Sequence, residues 1–312
     1  MAFVYIAIII LASVLLVKGT HWAIKALNYL AEYLRVPEFV VAFILAGLAT
    51  SFPEFFVGIS SALNKTPILS FSNVFGSNIA NLTLILGLTV ILIKGLRLES
   101  KIITRNIFYT LILIIYPILL ASDGLISRID GVALITIFVL YNLILFFQNK
   151  DFDKIAGGAR RKDLIKNLFL FALGVSLLLI GAEIIVRVSI HLAIELNISL
   201  FLIGLLLVAI GTSLPELIFG LKAAKEKHRG MIIGNILGSL TTNSTAVLGV
   251  TAIISPIMIG NISLLTSSSI FLLIAYFLFM VFALTKKRIS WKEGLILLFF
   301  YIIFIISQFM VK

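Results

Sequence analysis

The chain has 312 residues and no cysteine. That excludes thiolate metal centres, thiol nucleophiles and structural disulfides. Three histidines (His21, His191 and His228) are too few for a histidine-rich zinc or copper centre. Charge is scarce as well: Asp, Glu, Lys and Arg make up 12% of the chain, against about 25% in a soluble domain. Acidic charge is the scarcest, with 14 Asp and Glu against 25 Lys and Arg, for a net charge of +11. In a soluble protein that excess would suggest nucleic acid. In a chain that is 61% hydrophobic it reads as loop anchors on a membrane, and no nucleic-acid partner is expected. The short alternating segments of a membrane barrel are missing too.

What is present is a series of long apolar runs, for example 102–120. Lipid requires each backbone amide to be satisfied within its own segment, so the runs predict helices. Ten can be marked off: 3–18 with an amphipathic extension towards 34, 39–63, 71–93, 103–121, 128–147, 167–186 extended towards 196, 199–221, 231–254, 262–284 and 292–310. Each approaches the ~20 residues that a helical span needs. No basic stretch precedes the first run, which reads as a retained span and not as a secretory signal.

The loops after spans 3, 5, 7 and 9 hold 18 of the 25 basic residues. The opposite loops hold little beyond Lys65 and Arg128. The positive-inside rule therefore places both termini outside and the polar segment 148–166 in the cytoplasm, with a prokaryotic plasma membrane as the expected location. That segment divides the chain into a first half, 1–147, and a second, 167–312.

The halves are copies. At an offset of 162, Gly47-Leu48-Ala49-Thr50-Ser51-Phe52-Pro53-Glu54 falls on Ala209-Ile210-Gly211-Thr212-Ser213-Leu214-Pro215-Glu216. Asn73, Gly76, Ser77 and Asn81 fall on Asn235, Gly238, Ser239 and Asn243. Five spans per half is an odd number, so the second copy enters the membrane from the other side. The expected architecture is an all-α polytopic membrane protein of two inverted five-helix repeats, a plan used by secondary transporters.

Glu54 and Glu216 lie well inside spans 2 and 7. A carboxylate at mid-membrane costs ~2.5–3.5 kcal/mol on insertion scales, and no Lys or Arg lies at matching depth. A bound cation is therefore favoured over an ion pair. Each Glu follows Thr-Ser-x-Pro. Proline disrupts the helix one turn back and frees carbonyls near 47–50 and 209–212. Carbonyl, hydroxyl and carboxylate oxygens suit Na⁺ or Ca²⁺ and not soft metals. A plain proline kink explains one copy, but not an acid at the same offset in both. Asn73/Ser77/Asn81 and Asn235/Ser239/Asn243 each repeat every four residues, on one helix face. Such faces also bind helices together. Glu183 and Arg187, four apart, read as a local pair. Asp130 and Glu293 read as helix starts.

At these residues the chain resembles the cation/calcium antiporter superfamily, and within it the sodium/calcium exchangers. Gly211-Thr212-Ser213-Leu214-Pro215-Glu216 matches the family signature, and Gly76-Ser77-Asn78 and Gly238-Ser239 match the second part of each repeat, over about 39–90 and 201–252. The resemblance implies a central site in spans 2, 3, 7 and 8. There Glu54 and Glu216 bind Ca²⁺ and share in binding Na⁺, with the Thr50 and Thr212 carbonyls joining them at Ca²⁺. It implies one flanking Na⁺ site at Thr50, Ser51, Ser77 and the Gly47 carbonyl, and another at Thr212, Ser213, Ser239 and the Ala209 carbonyl. Asn81 and Asn243 lie between them, and spans 1 and 6 slide to alternate access. Many exchangers carry Asp at the position of Asn243.

These residues predict a Na⁺/Ca²⁺ antiporter with no cofactor and no enzymatic chemistry. Its partners are lipid and the transported cations, and a monomer suffices. Proton/cation exchange is the alternative, suggested by the missing Asp. An ion channel fits less well, because channel filters are built from rings of like subunits.

Overall fold

A computed structural model describes residues 2–33, 46–98, 101–148, 163–225, 229–285 and 287–310. Among the described residues nine helices are long and apolar enough to cross a membrane, and Phe52–Leu63 is a shorter apolar helix at the position of span 2. In chain order the elements are α1 (Ala2–Tyr33), α2 (Ala46–Thr50), α3 (Phe52–Leu63), α4 (Pro67–Ala80), α5 (Leu86–Leu92), α6 (Lys101–Leu120), α7 (Arg128–Gln148) and α8 (Leu164–Leu196). They continue with α9 (Leu200–Leu202), α10 (Ala209–Thr212), α11 (Leu214–Lys225), α12 (Arg229–Thr242), α13 (Leu248–Ile254), α14 (Ile262–Thr285) and α15 (Trp291–Met310). Together with span 2 this matches the expected ten. Residues 39–45 of that span and 149–162 of the polar segment lie outside the described residues.

The inversion is visible in two small strand pairs. β1 (Leu96–Arg97), after span 3, pairs antiparallel with β4 (Arg288–Ile289), before span 10. β2 (Leu125–Ile126), after span 4, pairs with β3 (Ile257–Met258), after span 8. The repeat carries β1 onto β3 and β2 onto β4, so each pair is the image of the other. The loop after span 3 therefore shares a face with the loop before span 10, while its own copy after span 8 lies with β2. Span contacts repeat likewise. A Cβ on Gly87 would lie 2.8 Å from the Gly294 carbonyl, and one on Gly249 would lie 2.9 Å from that of Gly131. Ser127 and Ser290 cap the helices that follow. The Ser127 amide donates to Asp130 at 2.8 Å and the Ser290 amide to Glu293 at 2.5 Å, as expected for acids at span starts.

Spans 1 and 6 are single unbroken helices of 32 and 33 residues. Both run through what the sequence marks as interfacial polar residues. At 1.5 Å per residue each is about 48–50 Å long, well beyond a ~30 Å hydrocarbon layer, so both tilt. They lie against each other with glycine in the contact: a Cβ on Gly19 would be 2.8 Å from the Gly174 carbonyl, and one on Gly181 3.2 Å from that of Ala12. Their buried apolar residues (Ile9, Ala12, Leu16, Leu178, Ala182 and Ile185) join Val57, Leu69, Ile203 and Val208 of spans 2, 3 and 7 in a core separate from the main one.

Candidate cation site

The Thr-Ser-x-Pro-Glu segments break their helices at the serine. α2 stops at Thr50, Ser51 adopts φ −80° and ψ 6°, and α3 begins at Phe52. The second copy does the same, with Ser213 at φ −83° and ψ 3°. Pro53 and Pro215 have no N–H for the carbonyls one turn back. The main-chain bonds that bridge each break run from Ser51 to Gly47 (3.3 Å) and Phe55 to Ser51 (3.0 Å), and from Ser213 to Ala209 (3.1 Å) and Leu217 to Ser213 (3.2 Å). The Thr50 and Thr212 carbonyls are left without a main-chain donor among the described residues.

Each broken segment is held by the other repeat. Thr50 Oγ1 donates to Asn235 Oδ1 at 2.9 Å and lies 3.0 Å from Ser239 Oγ. Thr212 Oγ1 donates to Asn73 Oδ1 at 3.1 Å and lies 3.2 Å from Ser77 Oγ, which also reaches the Ala209 carbonyl at 3.4 Å. The hydroxyl groupings are therefore crossed relative to the implied flanking sites. Ser77 sits with Thr212 and Ala209, not with Thr50 and Ser51. Ser239 sits with Thr50, and a Cβ on Gly47 would lie 2.9 Å from Gly238 and 3.5 Å from the Ser239 amide. The physical reason is the close helix contact: glycine at 76 and 238 brings each polar face against the opposite repeat.

Glu54 and Glu216 are fully buried. Each lies one turn inside the break, and the two are near enough to interact electrostatically. None of their four carboxylate oxygens has a hydrogen-bond partner. The same holds for Ser51 Oγ, Ser213 Oγ, Asn81 Oδ1 and Asn243 Oδ1. Buried polar atoms are nearly always paired, because an orphaned one costs about 1–3 kcal/mol. These eight oxygens lie on spans 2, 3, 7 and 8, and oxygen is the ligand that hard cations take. No cluster of three or more His, Cys, Asp or Glu occurs among the described residues.

Two features were not expected. A π-helical turn runs from Asn81 to Ile85 and another from Asn243 to Val247, at the same offset of 162. Each inserts extra width at an asparagine of the site, and such turns favour functional positions. Asn78 also has a part that the repeat comparison hides, because its copy is Leu240. Its amide donates to Ser244 Oγ at 2.9 Å, and its oxygen accepts from Asn243 Nδ2 at 3.3 Å. That leaves the Asn243 oxygen as the free end of the side chain.

Two inverted repeats, each supplying a broken helix and a buried acid to one oxygen-lined centre, define a secondary transporter for a hard cation. The family model of the sodium/calcium exchanger protein matches residues 4–147 and 166–310, and the chain belongs to that family. It is 30% identical to an uncharacterized membrane protein of Methanocaldococcus jannaschii, over 96% of each chain. It is 27% identical to the sodium/calcium exchanger MaX1 of Methanosarcina acetivorans, over 97% of each. Among solved structures it is similar to the sodium-calcium exchanger NCX_Mj soaked with 10 mM Na⁺ and no Ca²⁺, with a TM-score of 0.70 and 30% identity over 98% of this chain and 99% of that one.

Proposed function

We propose that this protein exchanges Ca²⁺ for Na⁺ across the membrane by alternating access to the central site. The observation that carries this reading is the pair of buried acids, one from each inverted copy, with every carboxylate oxygen unpaired. Glu54 and Glu216 hold Ca²⁺ between them, and their two negative charges neutralise it. The Thr50 and Thr212 carbonyls complete that position, and Asn81 and Asn243 present amide oxygens beside it. Na⁺ binds at the flanks in the crossed groupings, to Thr50, Ser51, Ser239 and the Gly47 carbonyl, and to Thr212, Ser213, Ser77 and the Ala209 carbonyl. Both ions need the same carboxylates, so either excludes the other, which is what couples their movements. A site left with two bare carboxylates is too costly to carry through hydrocarbon, so only the occupied form crosses.

Residues 1–147 and 167–312 act as the two repeats, joined by a cytoplasmic 148–166 segment, with both termini outside a prokaryotic plasma membrane. A single chain contains all of the proposed ligands. The test is Ca²⁺ flux in proteoliposomes. An outward Na⁺ gradient is expected to drive Ca²⁺ uptake at constant pH. Uptake driven by a pH gradient without Na⁺, and not by Na⁺, would replace the coupling ion with H⁺.

A further inference from the structure

The repeat makes two interfaces equivalent: α8 against α3, and α1 against α11. Their chemistry is not equivalent. At the first, Glu183 joins the helices. Its Oε2 accepts from Ser60 Oγ at 2.5 Å and from Asn64 Nδ2 at 3.0 Å, and its Oε1 accepts from Arg187 Nε at 2.6 Å. Below it Phe52, Phe56 and Val57 of α3 join the apolar core of α1 and α8. At the offset of 162, Glu183 is replaced by His21, Ser60 by Lys222 and Arg187 by Lys25. The copy of Asn64 is Glu226, which lies outside the described residues. The carboxylate that accepts both cross-helix bonds at one interface is thus absent at the position of its copy.

The structure is open at that place. A cavity of about 700 Å³ separates α1 from α11, and His21, Lys222, Lys18 and Lys25 all line it. It reaches Pro215, next to Glu216. Neither His21 nor Lys222 makes a hydrogen bond or ion pair with another described residue. Ile218 lines this cavity and is 52% exposed, whereas its copy Phe56 is partly buried and packs against the apolar core of α1 and α8. Basic groups on both walls oppose closure, because like charges repel.

We propose that Glu183, with Ser60 and Asn64, is a latch that closes one access route. The copy pair His21 and Lys222 leaves the other route unlatched, so the ion-free protein rests open on the face where α11 ends in Lys222 and Lys225. This rests on the alternating-access reading above. It adds that the two gates are unequal and names the residues that make them so.

The absence of cysteine makes the test direct. Phe56→Cys and Ile218→Cys are introduced singly into the purified full chain in detergent, where both faces are reachable, and labelling by a water-soluble maleimide is timed without Na⁺ or Ca²⁺. Ile218→Cys is expected to react at least about 10-fold faster than Phe56→Cys, the bias given by hydrogen bonds to one charged group. Adding Glu183→Ala is expected to raise the Phe56→Cys rate about 10-fold, with smaller rises for Ser60→Ala and Asn64→Ala. Adding His21→Glu gives Lys222 a carboxylate partner and is expected to slow Ile218→Cys with Glu183 untouched. Equal rates at the two positions, or rates unmoved by both Glu183→Ala and His21→Glu, would overturn the latch. Labelling requires no ion flux. A latch that fails beside intact Na⁺-driven Ca²⁺ uptake leaves the exchanger reading standing, and the converse result leaves the latch.

Discussion

Glu54→Gln and Glu216→Gln are each expected to cut Na⁺-driven Ca²⁺ uptake at least about 100-fold. Removing one charge from a buried charge cluster costs about 3–5 kcal/mol, and every 1.4 kcal/mol is tenfold in affinity. The glutamine keeps the size and one carbonyl oxygen, so packing around the break survives. The ion-free variants are expected to melt no lower than the native chain, because a neutral amide is cheaper in hydrocarbon than a carboxylate. The native chain is expected to gain stability with added Ca²⁺ by mass action, and the variants are not. Vesicle uptake and thermal unfolding together thus separate loss of the ion from loss of the fold. Near-native uptake in both variants would remove the acids from the transport path.

Gly76→Ala is the second large effect. The added methyl would lie 1.9 Å from the Leu205 carbonyl and 2.6 Å from the Ala209 Cβ, both parts of span 7 next to the break at Ser213. Backbone cannot yield as a flexible side chain does, and the overpacking is expected to cost at least about 3 kcal/mol. Little folded protein should be recovered. Gly230→Ala is the control. Gly230 is also helical, but nothing lies within 4 Å of its added methyl. There the substitution is expected to be neutral or to stabilise by up to about 1 kcal/mol, as alanine does in a helix interior. The folded fraction by size-exclusion chromatography reads both. Normal yield of Gly76→Ala would mean that spans 3 and 7 are not in backbone contact.

Much of the architecture was legible because lipid is an unforgiving solvent. Hydrocarbon demands long apolar runs, so the ten spans stood out, and the odd number per copy made the inversion a matter of parity. Glu54 and Glu216 were legible because charge at that depth is costly and rare. The extensions of spans 1 and 6 towards 34 and 196 were legible too, and both helices run unbroken past Lys18, His21, Glu183 and Arg187. What could not be read is how the two repeats meet. The crossing of Ser77 to Thr212 and of Ser239 to Thr50 depends on which repeat each polar face meets, and periodicity within one helix is silent about that. The π-turns at Asn81 and Asn243 leave no compositional mark. Asn78 was legible only within the Gly76-Ser77-Asn78 match, and its bonds to Ser244 and Asn243 were not, because a search by repeats finds only residues that have a copy. Glu183 was legible as a partner of Arg187, but its bonds to Ser60 and Asn64 cross between spans.

Two acids from opposite repeats serve one cation. Equilibrium binding of ⁴⁵Ca²⁺ to the purified protein without Na⁺ tests it most directly. One Ca²⁺ per chain is expected, displaced by Na⁺ and lost in Glu54→Gln and in Glu216→Gln alike. Two Ca²⁺ per chain, with each substitution removing only one, would show two independent sites and contradict it.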